Sequence, residues 1–320
     1  MAKGKDAKPF LKWAGGKSQL IKDYFYFYPE ELIQGKVKRY IEPFVGSGAV
    51  LFDILQKFDI EEAIIIDNNP ELMITYEAIQ KAVNPLIEYL SELEEKYLNL
   101  DISGRKEFYY QVRSNFNNQL DTFDFNNFDE NTIKRASQLI FLNRTCFNGL
   151  FRVNKSGKFN VPMGNYRTPT ICHTKNLLAV SEALQRVQIH QGNYQISKKF
   201  VDNETFIYFD PPYRPLNKTS SFTSYCKSSF TDEEQIELGN FFRKLNEKEA
   251  LLMLSNSDPR NTNKDDSFFD ELFKGFSINN VMARRAINSD ASKRGTVSEL
   301  VITNYQVKLE RESNEIYQAI

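Results

Sequence analysis

Apolar residues in this chain gather into short unbroken runs. Seven are strand-like: R-Y-I-E-P-F (39–44), A-I-I-I-D (63–67), V-Q-I-H-Q-G (187–192), T-F-I-Y-F-D (205–210), A-L-L-M-L-S-N (250–256), F-S-I-N-N-V (276–281) and E-L-V-I-T-N-Y (299–305). Runs of this length predict strands covered on both faces, as in a parallel sheet. Between many of them the spacing becomes that of a helix, as in V-L-F-D-I-L-Q-K-F (50–58) and D-E-E-Q-I-E-L-G-N-F-F-R-K-L (232–245). Strands alternating with helices predict an α/β fold with a doubly wound sheet.

The alternation breaks between about residues 75 and 180. Helical patterns occupy 84–98, 105–116 and 131–143, and the acidic, Asn/Phe-rich D-T-F-D-F-N-N-F-D-E (121–130) reads as a surface loop. In F-R-V-N-K-S-G-K-F-N-V two short strand-like arms flank a K-S-G turn, which predicts a hairpin. The expected organisation is one α/β domain, residues 1–75 and 180–320, interrupted by a mainly helical insertion, 76–179, that carries a β-hairpin.

Bulk properties narrow the function. A net charge of −1 and a pI near 6.3 mean that polyanion binding must come from a local patch. Three scattered cysteines (Cys146, Cys172, Cys226) with no C-x-x-C read as free thiols in a reducing compartment. Two histidines, His173 and His190, argue against a histidine-rich metal site or a Ser-His-Asp triad. No apolar run reaches membrane-spanning length, and the opening M-A-K-G-K-D-A-K lacks the apolar segment of a signal peptide. A soluble cytoplasmic protein without a metal is expected.

The chemistry concentrates in a few motifs. Y-F-D-P-P-Y-R (208–214) ends the fourth run; two prolines stop a strand abruptly, and nothing about folding requires Asp210 at its exit. Y-I-E-P-F-V-G-S-G-A-V-L-F runs strand, glycine turn, helix, and Gly46 and Gly48 let the backbone approach a ligand at the helix N-terminus. The next strand ends in Asp67, about 20 residues on, where nucleotide-binding α/β folds place an acid on ribose hydroxyls. Leu51 replaces the third glycine of G-x-G-x-x-G, which favours a nucleoside without phosphates, such as an adenosyl ligand. F-L-K-W-A-G-G-K (10–17) falls short of a phosphate loop, because Leu11 stands where the first glycine belongs. From Phe141 to Ser181 there is no Asp or Glu, while Arg144, Arg152, Lys155, Lys158, Arg167 and Lys175 are present, a segregation suited to phosphates. Arg284, Arg285, Lys293 and Arg294 form a second basic cluster.

F-L-K-W-A-G-G-K, E-P-F-V-G-S-G, Asp67, the F-N-G-L-F-R-V-N…F-N-V-P-M-G-N-Y block and D-P-P-Y occur in one order over residues 9–305. In these five motifs the sequence resembles the DNA adenine methyltransferase (Dam) family, N6-adenine-specific enzymes of the α arrangement and D12 class. The resemblance implies a Rossmann-like methyltransferase sheet with an inserted target-recognition domain, and S-adenosylmethionine as cofactor. Trp13 and Lys17 would then line the cofactor pocket, Glu42, Pro43, Phe44, Gly46 and Gly48 would hold its methionine side, and Asp67 its ribose. Asn193 and Tyr194 stand where the family usually has G-D-F, with Asn193 in place of the acid that meets the cofactor's adenine; Asp210 borders the same pocket.

The resemblance also gives D-P-P-Y a purpose. The exocyclic nitrogen of adenine is a poor nucleophile, because its lone pair is delocalised into the ring. Two acceptors, the Asp210 carboxylate and the main-chain oxygen of Pro211, would favour a pyramidal nitrogen. Pro212 completes the rigid turn, and Tyr213 would stack on a base flipped from the duplex. Lys12, Leu150, Arg152 and Pro162 match positions that read bases, and Phe147 matches one that wedges into the stack. Arg144, Asn148, Asn160 and Tyr166 complete the expected DNA face, Asn165 replaces a frequent arginine, and 5′-GATC-3′ is the expected site in double-stranded DNA. A monomer is expected, with a cognate restriction endonuclease as a functional partner. An N4-cytosine or protein-glutamine methyltransferase on the same fold usually carries Ser or Asn before P-P-Y; these, and a non-catalytic DNA-binding relative, are the remaining alternatives.

Overall fold

The computed structural model describes residues 6–214, 230–284 and 296–308. Among these, the strands β1 (Arg39–Pro43), β2 (Glu62–Asp67), β3 (Val187–Gln191), β4 (Thr205–Phe209), β5 (Leu251–Ser257), β6 (Ser277–Arg284) and β7 (Thr296–Thr303) form one sheet in the order β3-β2-β1-β4-β5-β7-β6. Each of the seven apolar runs overlaps one of them. The first five pair in parallel, but β7 runs antiparallel to both β5 and β6, which corrects the expectation of a parallel sheet throughout. Only residues 285–295 separate β6 from β7, fewer than the roughly one dozen that a parallel crossover needs.

Side chains alternate cleanly between two cores, as the two-residue period of a strand dictates. Tyr40, Ala63, Ile65, Phe206, Tyr208 and Met253 enter one apolar cluster. Their neighbours Ile41, Ile64, Ile66, Ile207, Phe209, Leu252 and Leu254 enter the other. The cluster on the first face is shared by residues of α1 (Ile21–Tyr24), α2 (Glu30–Ile33), α3 (Ala49–Lys57), α4 (Pro70–Leu98), α5 (Ile102–Gln119), α6 (Glu130–Thr145) and α7 (Thr174–Leu184). The second is covered by α8 (Asp232–Asn246) and α9 (Phe268–Leu272). Helices on both faces make the sheet doubly wound. The same alternation puts Glu42 and Ser255, near the carboxyl ends of β1 and β5, on the same face as Asp210, the residue just past β4.

The expected helix over 84–98 is the second half of α4. A first half begins at Pro70, capped by Asn69, whose side chain accepts from the Glu71 and Leu72 amides. Ala82 leaves helical geometry between the halves, where Pro85 cannot donate to the preceding turn. Helices α4, α5 and α6 meet at Arg135, which is 1% exposed. Its guanidinium donates to both Glu71 carboxylate oxygens and to the Phe116 carbonyl, and lies 4.1 Å from the Phe116 ring centre. Burial pushes the Glu71 carboxyl up and Arg135 draws it back. After α6 the chain makes the expected hairpin contacts, with Val153 bridged antiparallel to Phe159 and a turn closed by Gly157 N–H to Asn154 O.

Among the described residues no helix is long and apolar enough to cross a membrane, and no group of three or more His, Cys, Asp or Glu is arranged to hold a metal. Arg285, Lys293, Arg294, Cys226 and the side chain of Arg284 lie outside the described residues.

Arg135→Ala leaves Glu71 buried without a partner and is expected to cost about 3–5 kcal/mol in denaturant unfolding. The double variant with Glu71→Leu recovers part of this loss.

Candidate active site

The two prolines end β4 abruptly, so Asp210 sits at the carboxyl end of the central strand with 18% of its side chain exposed. Lys17, 4% exposed, arrives from the N-terminal segment and places Nζ 2.7 Å from Asp210 Oδ1. The same ammonium donates to the Gly15 carbonyl at 2.9 Å and lies 4.8 Å from the centre of the Tyr213 ring. Ser255 of β5 donates to Asp210 Oδ1 at 3.0 Å. Burial pushes the Asp210 carboxyl above the usual carboxylate range, while the charge and hydrogen bond of Lys17, then the Ser255 hydroxyl, pull it back. Beside it, Glu42 is 2% exposed and accepts from the Tyr40 hydroxyl at 2.7 Å. Burial dominates there and pushes the Glu42 carboxyl up to about 8, against the Tyr40 hydrogen bond.

The turn after β1 has the geometry that its glycines foretell. Gly46 and Gly48 take φ of 50° and 72°. A Cβ at Gly48 would meet the Tyr76 hydroxyl at 2.6 Å, and one at Gly46 would meet the Trp13 indole at 2.9 Å. The Gly46 amide donates to Asp67 Oδ2 at 3.2 Å and Asn69 N–H to Oδ1 at 2.9 Å, so the β1 and β2 ends are tied together. Burial raises the Asp67 carboxyl and these amides oppose it. Phe44, the residue after β1, has φ of 66°, a left-handed conformation costly for an aromatic residue. Its ring lies 5.3 Å from Tyr194, which is 5% exposed and packs on Phe241. Pro43 ends β1, and the Asn193 side-chain oxygen accepts from the Gln195 amide.

The glycine turn also touches the hairpin region, because Trp13 stacks on Phe151 with centroids 5.3 Å apart. Asn143, buried in α6, accepts from Lys12 N–H and donates to both Lys12 O and Gly149 O, each at 2.9 Å. Lys12 Nζ lies 4.8 Å from the Tyr166 ring centre. Phe147 is 52% exposed, and its amide donates to Pro162 O at 2.9 Å. Asn148 beside it is exposed with φ of 56°, while Leu150 is half-buried. Arg152 donates to Asn160 Oδ1 at 2.8 Å across the hairpin. Arg144 turns away, donating to Phe10 O at 2.7 Å, and burial lowers its pKa.

Three expected groups thus form one connected surface: Asp210 with Lys17, Tyr213 and Glu42; the glycine turn with Asp67 and Trp13; and the stretch from Lys12 to Tyr166. Sequence reading missed Asn143, Ser255, Asn256 and Gln235, all buried polar residues. For Ser255 and Asn256 the signal was present, as two polar residues ending an apolar strand. Asn143 and Gln235 sit in amphipathic helices, where one polar residue carries no mark.

The family model of D12 class N6 adenine-specific DNA methyltransferases matches residues 13–287. The type II methyltransferase M.MjaIII of Methanocaldococcus jannaschii is 50% identical over 301 residues, spanning 94% of this chain and 100% of that protein. The type II methyltransferase M1.LlaDCHI of Lactococcus lactis subsp. cremoris is 34% identical over 301 residues, spanning 93% and 95%. The DNA adenine methylase of Escherichia coli K12 is 32% identical over 297 residues, spanning 93% and 95%. With a sheet whose central strand ends in Asp-Pro-Pro-Tyr beside a glycine turn, and with matches over nearly its whole length, this chain belongs to the D12 class of N6 adenine-specific DNA methyltransferases.

Proposed function

We propose that the chain transfers a methyl group from S-adenosylmethionine to N6 of adenine within GATC in duplex DNA, with Asp210 and Pro211 as the acceptors for the adenine amino group. The observation that carries this reading is the Lys17–Asp210 contact at the carboxyl end of β4, which pairs a carboxylate with a buried ammonium next to the glycine turn.

The residues at the glycine turn fit the cofactor. Gly46 and Gly48 admit no Cβ without moving Trp13 or Tyr76, and Asp67 offers carboxylate oxygens there. Glu42, raised by burial, would regain its charge beside a ligand ammonium. Trp13, Lys17, Pro43, Phe44, Asn193 and Tyr194 would complete the pocket. The bound cofactor supplies the electrophilic methyl group. Asp210 and the Pro211 oxygen would accept from the two amino hydrogens, directing the nitrogen lone pair, and Tyr213 would cover the flipped base. Pro211 and Pro212 fix φ at two positions of the turn that carries the acceptors.

Residues 76–179 would act as the target-recognition region on a catalytic domain of 1–75 and 180–320. The exposed Phe147 is suited to wedge into the base stack, and Arg152, Leu150 and Pro162 to read bases, with Lys12, Asn148, Asn160 and Tyr166 beside them. Arg144 would act through the position of Phe10 rather than by touching phosphate. GATC rests on these matched positions. The relatives named type II methyltransferases support a role beside a restriction endonuclease, and the enzyme would act as a monomer on cytoplasmic DNA.

Mapping modified adenines in DNA from an expressing host should return GATC; a different motif overturns the site assignment and leaves the reaction intact. Asp210→Ala should abolish transfer while DNA binding persists, measured by methyl incorporation and mobility shift. Arg152→Ala should weaken discrimination at one base by about 1–3 kcal/mol, read from rates on single-substitution duplexes.

A further inference from the structure

Two neighbouring residues of β5 hold the Asp-Pro-Pro-Tyr turn, one from each face of the sheet. Ser255 shares the face of Asp210. It donates to Oδ1 at 3.0 Å, and its oxygen lies 2.8 Å from the Tyr208 hydroxyl. Lys17 reaches the same Oδ1, so among the described residues both contacts fall on one oxygen and Oδ2 is left open. Asn256 takes the other face. Its Nδ2 donates to Gln235 Oε1 at 3.2 Å, and Gln235 Nε2 donates to the Pro212 carbonyl at 3.2 Å. Asn256 and Gln235 are 0% and 1% exposed, so neither amide has water as an alternative partner.

We propose that Ser255 and the Asn256–Gln235 pair are positioning residues for methyl transfer, fixing Asp210 Oδ1 and the Pro212 carbonyl so that Asp210 Oδ2 and the Pro211 oxygen face the adenine amino group in one arrangement. The proposal rests on the reading of Asp210 as acceptor. Proline alone does not achieve this. It fixes φ but leaves ψ and the Asp210 side-chain torsions free, and those decide where the acceptors point. Ser255 sets the carboxylate torsions, and Gln235 sets the peptide that follows Pro212. The polar ends of an otherwise apolar strand and an interior helix residue thereby acquire a common purpose. An acceptor held before the substrate arrives needs no reorganisation during reaction.

The hydroxyl also acts on charge. Asp210 faces Lys17 from the N-terminal segment, Glu42 from β1, Tyr208 and Tyr213 from its own strand and turn, and Tyr24 from α1, with Glu299 of β7 acting on Tyr24 and Tyr213. Burial disfavours the ionised carboxylate, whereas Lys17 and then Ser255 favour it, and the Asp210 charge in turn raises Glu42. Removing the Ser255 hydroxyl therefore raises the Asp210 pKa, and activity that needs the ionised form is lost at a higher pH as pH falls.

The test measures kcat, KM and the pH profile of methyl incorporation into plasmid DNA for the full chain and four variants. Ser255→Ala should lower kcat by roughly 10- to 100-fold, the worth of one hydrogen bond to a charged group, with KM for DNA and S-adenosylmethionine unchanged. Its acid limb should move to higher pH. Ser255→Cys, nearly the same size with a weaker donor, should move both quantities less and in the same direction. Gln235→Leu should lower kcat without moving the acid limb, because it touches a carbonyl and not the carboxylate. Should Ser255→Ala fail to fold, Ser255→Cys and Gln235→Leu carry the test. An inactive Asp210→Ala together with wild-type kcat and acid limb in the Ser255 variants, or wild-type kcat in Gln235→Leu, overturns the positioning proposal alone. An active Asp210→Ala overturns the acceptor reading and the proposal with it.

Discussion

A carboxylate at the end of an apolar strand is the constraint around which this protein is arranged. Removing an ionised acid from water without a partner costs several kcal/mol, or the acid takes up a proton and ceases to be useful. Lys17 resolves the conflict for Asp210 from 193 positions upstream, where it is itself only 4% exposed. Its three donors meet the Gly15 carbonyl and the carboxylate, so neither charge is stranded. The position of the N-terminal segment follows from that contact. With Lys17 drawn to the end of β4, Trp13 falls against the glycine turn and on Phe151, and Lys12 reaches the side-chain amide of Asn143 in α6. One ion pair therefore links the acid, the glycine turn and the hairpin region through a stretch of six residues.

The helical region depends on an independent arrangement of the same kind. Its core is continuous with one face of the sheet, since residues of α4, α5 and α6 share a cluster with Tyr40, Phe206 and Tyr208. Arg135 occupies the junction of the three helices. Both of its ends are satisfied there, by Glu71 and by a carbonyl, beneath aromatic rings. Buried pairs of this type are weak evidence of net stabilisation, but they penalise any other packing of the helices. The surface formed by Phe147, Arg152 and Tyr166 is set by that packing.

Much of the architecture was readable because burial writes itself into strands. Seven apolar runs became seven strands, and Asp67 and Asp210 were correctly placed at or just past strand ends. The errors have identifiable causes. Strand direction was misjudged for β7, since an apolar run carries no arrow; the short connection of residues 285–295 was the available clue. The first half of α4 and the whole of α7 were missed, although Asn69-Pro70-Glu71 is a strong start signal for the former. For α7 the cap is His173, a residue type that rarely announces a helix start.

By itself the sequence determined the doubly wound class, the glycine turn with its acid, the Asp-Pro-Pro-Tyr motif and the acid-free basic stretch, because each is local: a run, a spacing or a composition. Tertiary structure decided which groups meet. It brought Lys17 to Asp210, turned Arg144 inward to Phe10, spent the Asn193 side chain on a local amide, and gathered Ser255 and Gln235 around the Asp-Pro-Pro-Tyr turn. Apart from the local Asn193 contact, these join residues from 23 to 193 positions apart, and they form only when two cores pack on opposite faces of one sheet. Periodicity can say which face a residue occupies. What that face meets is settled by folding.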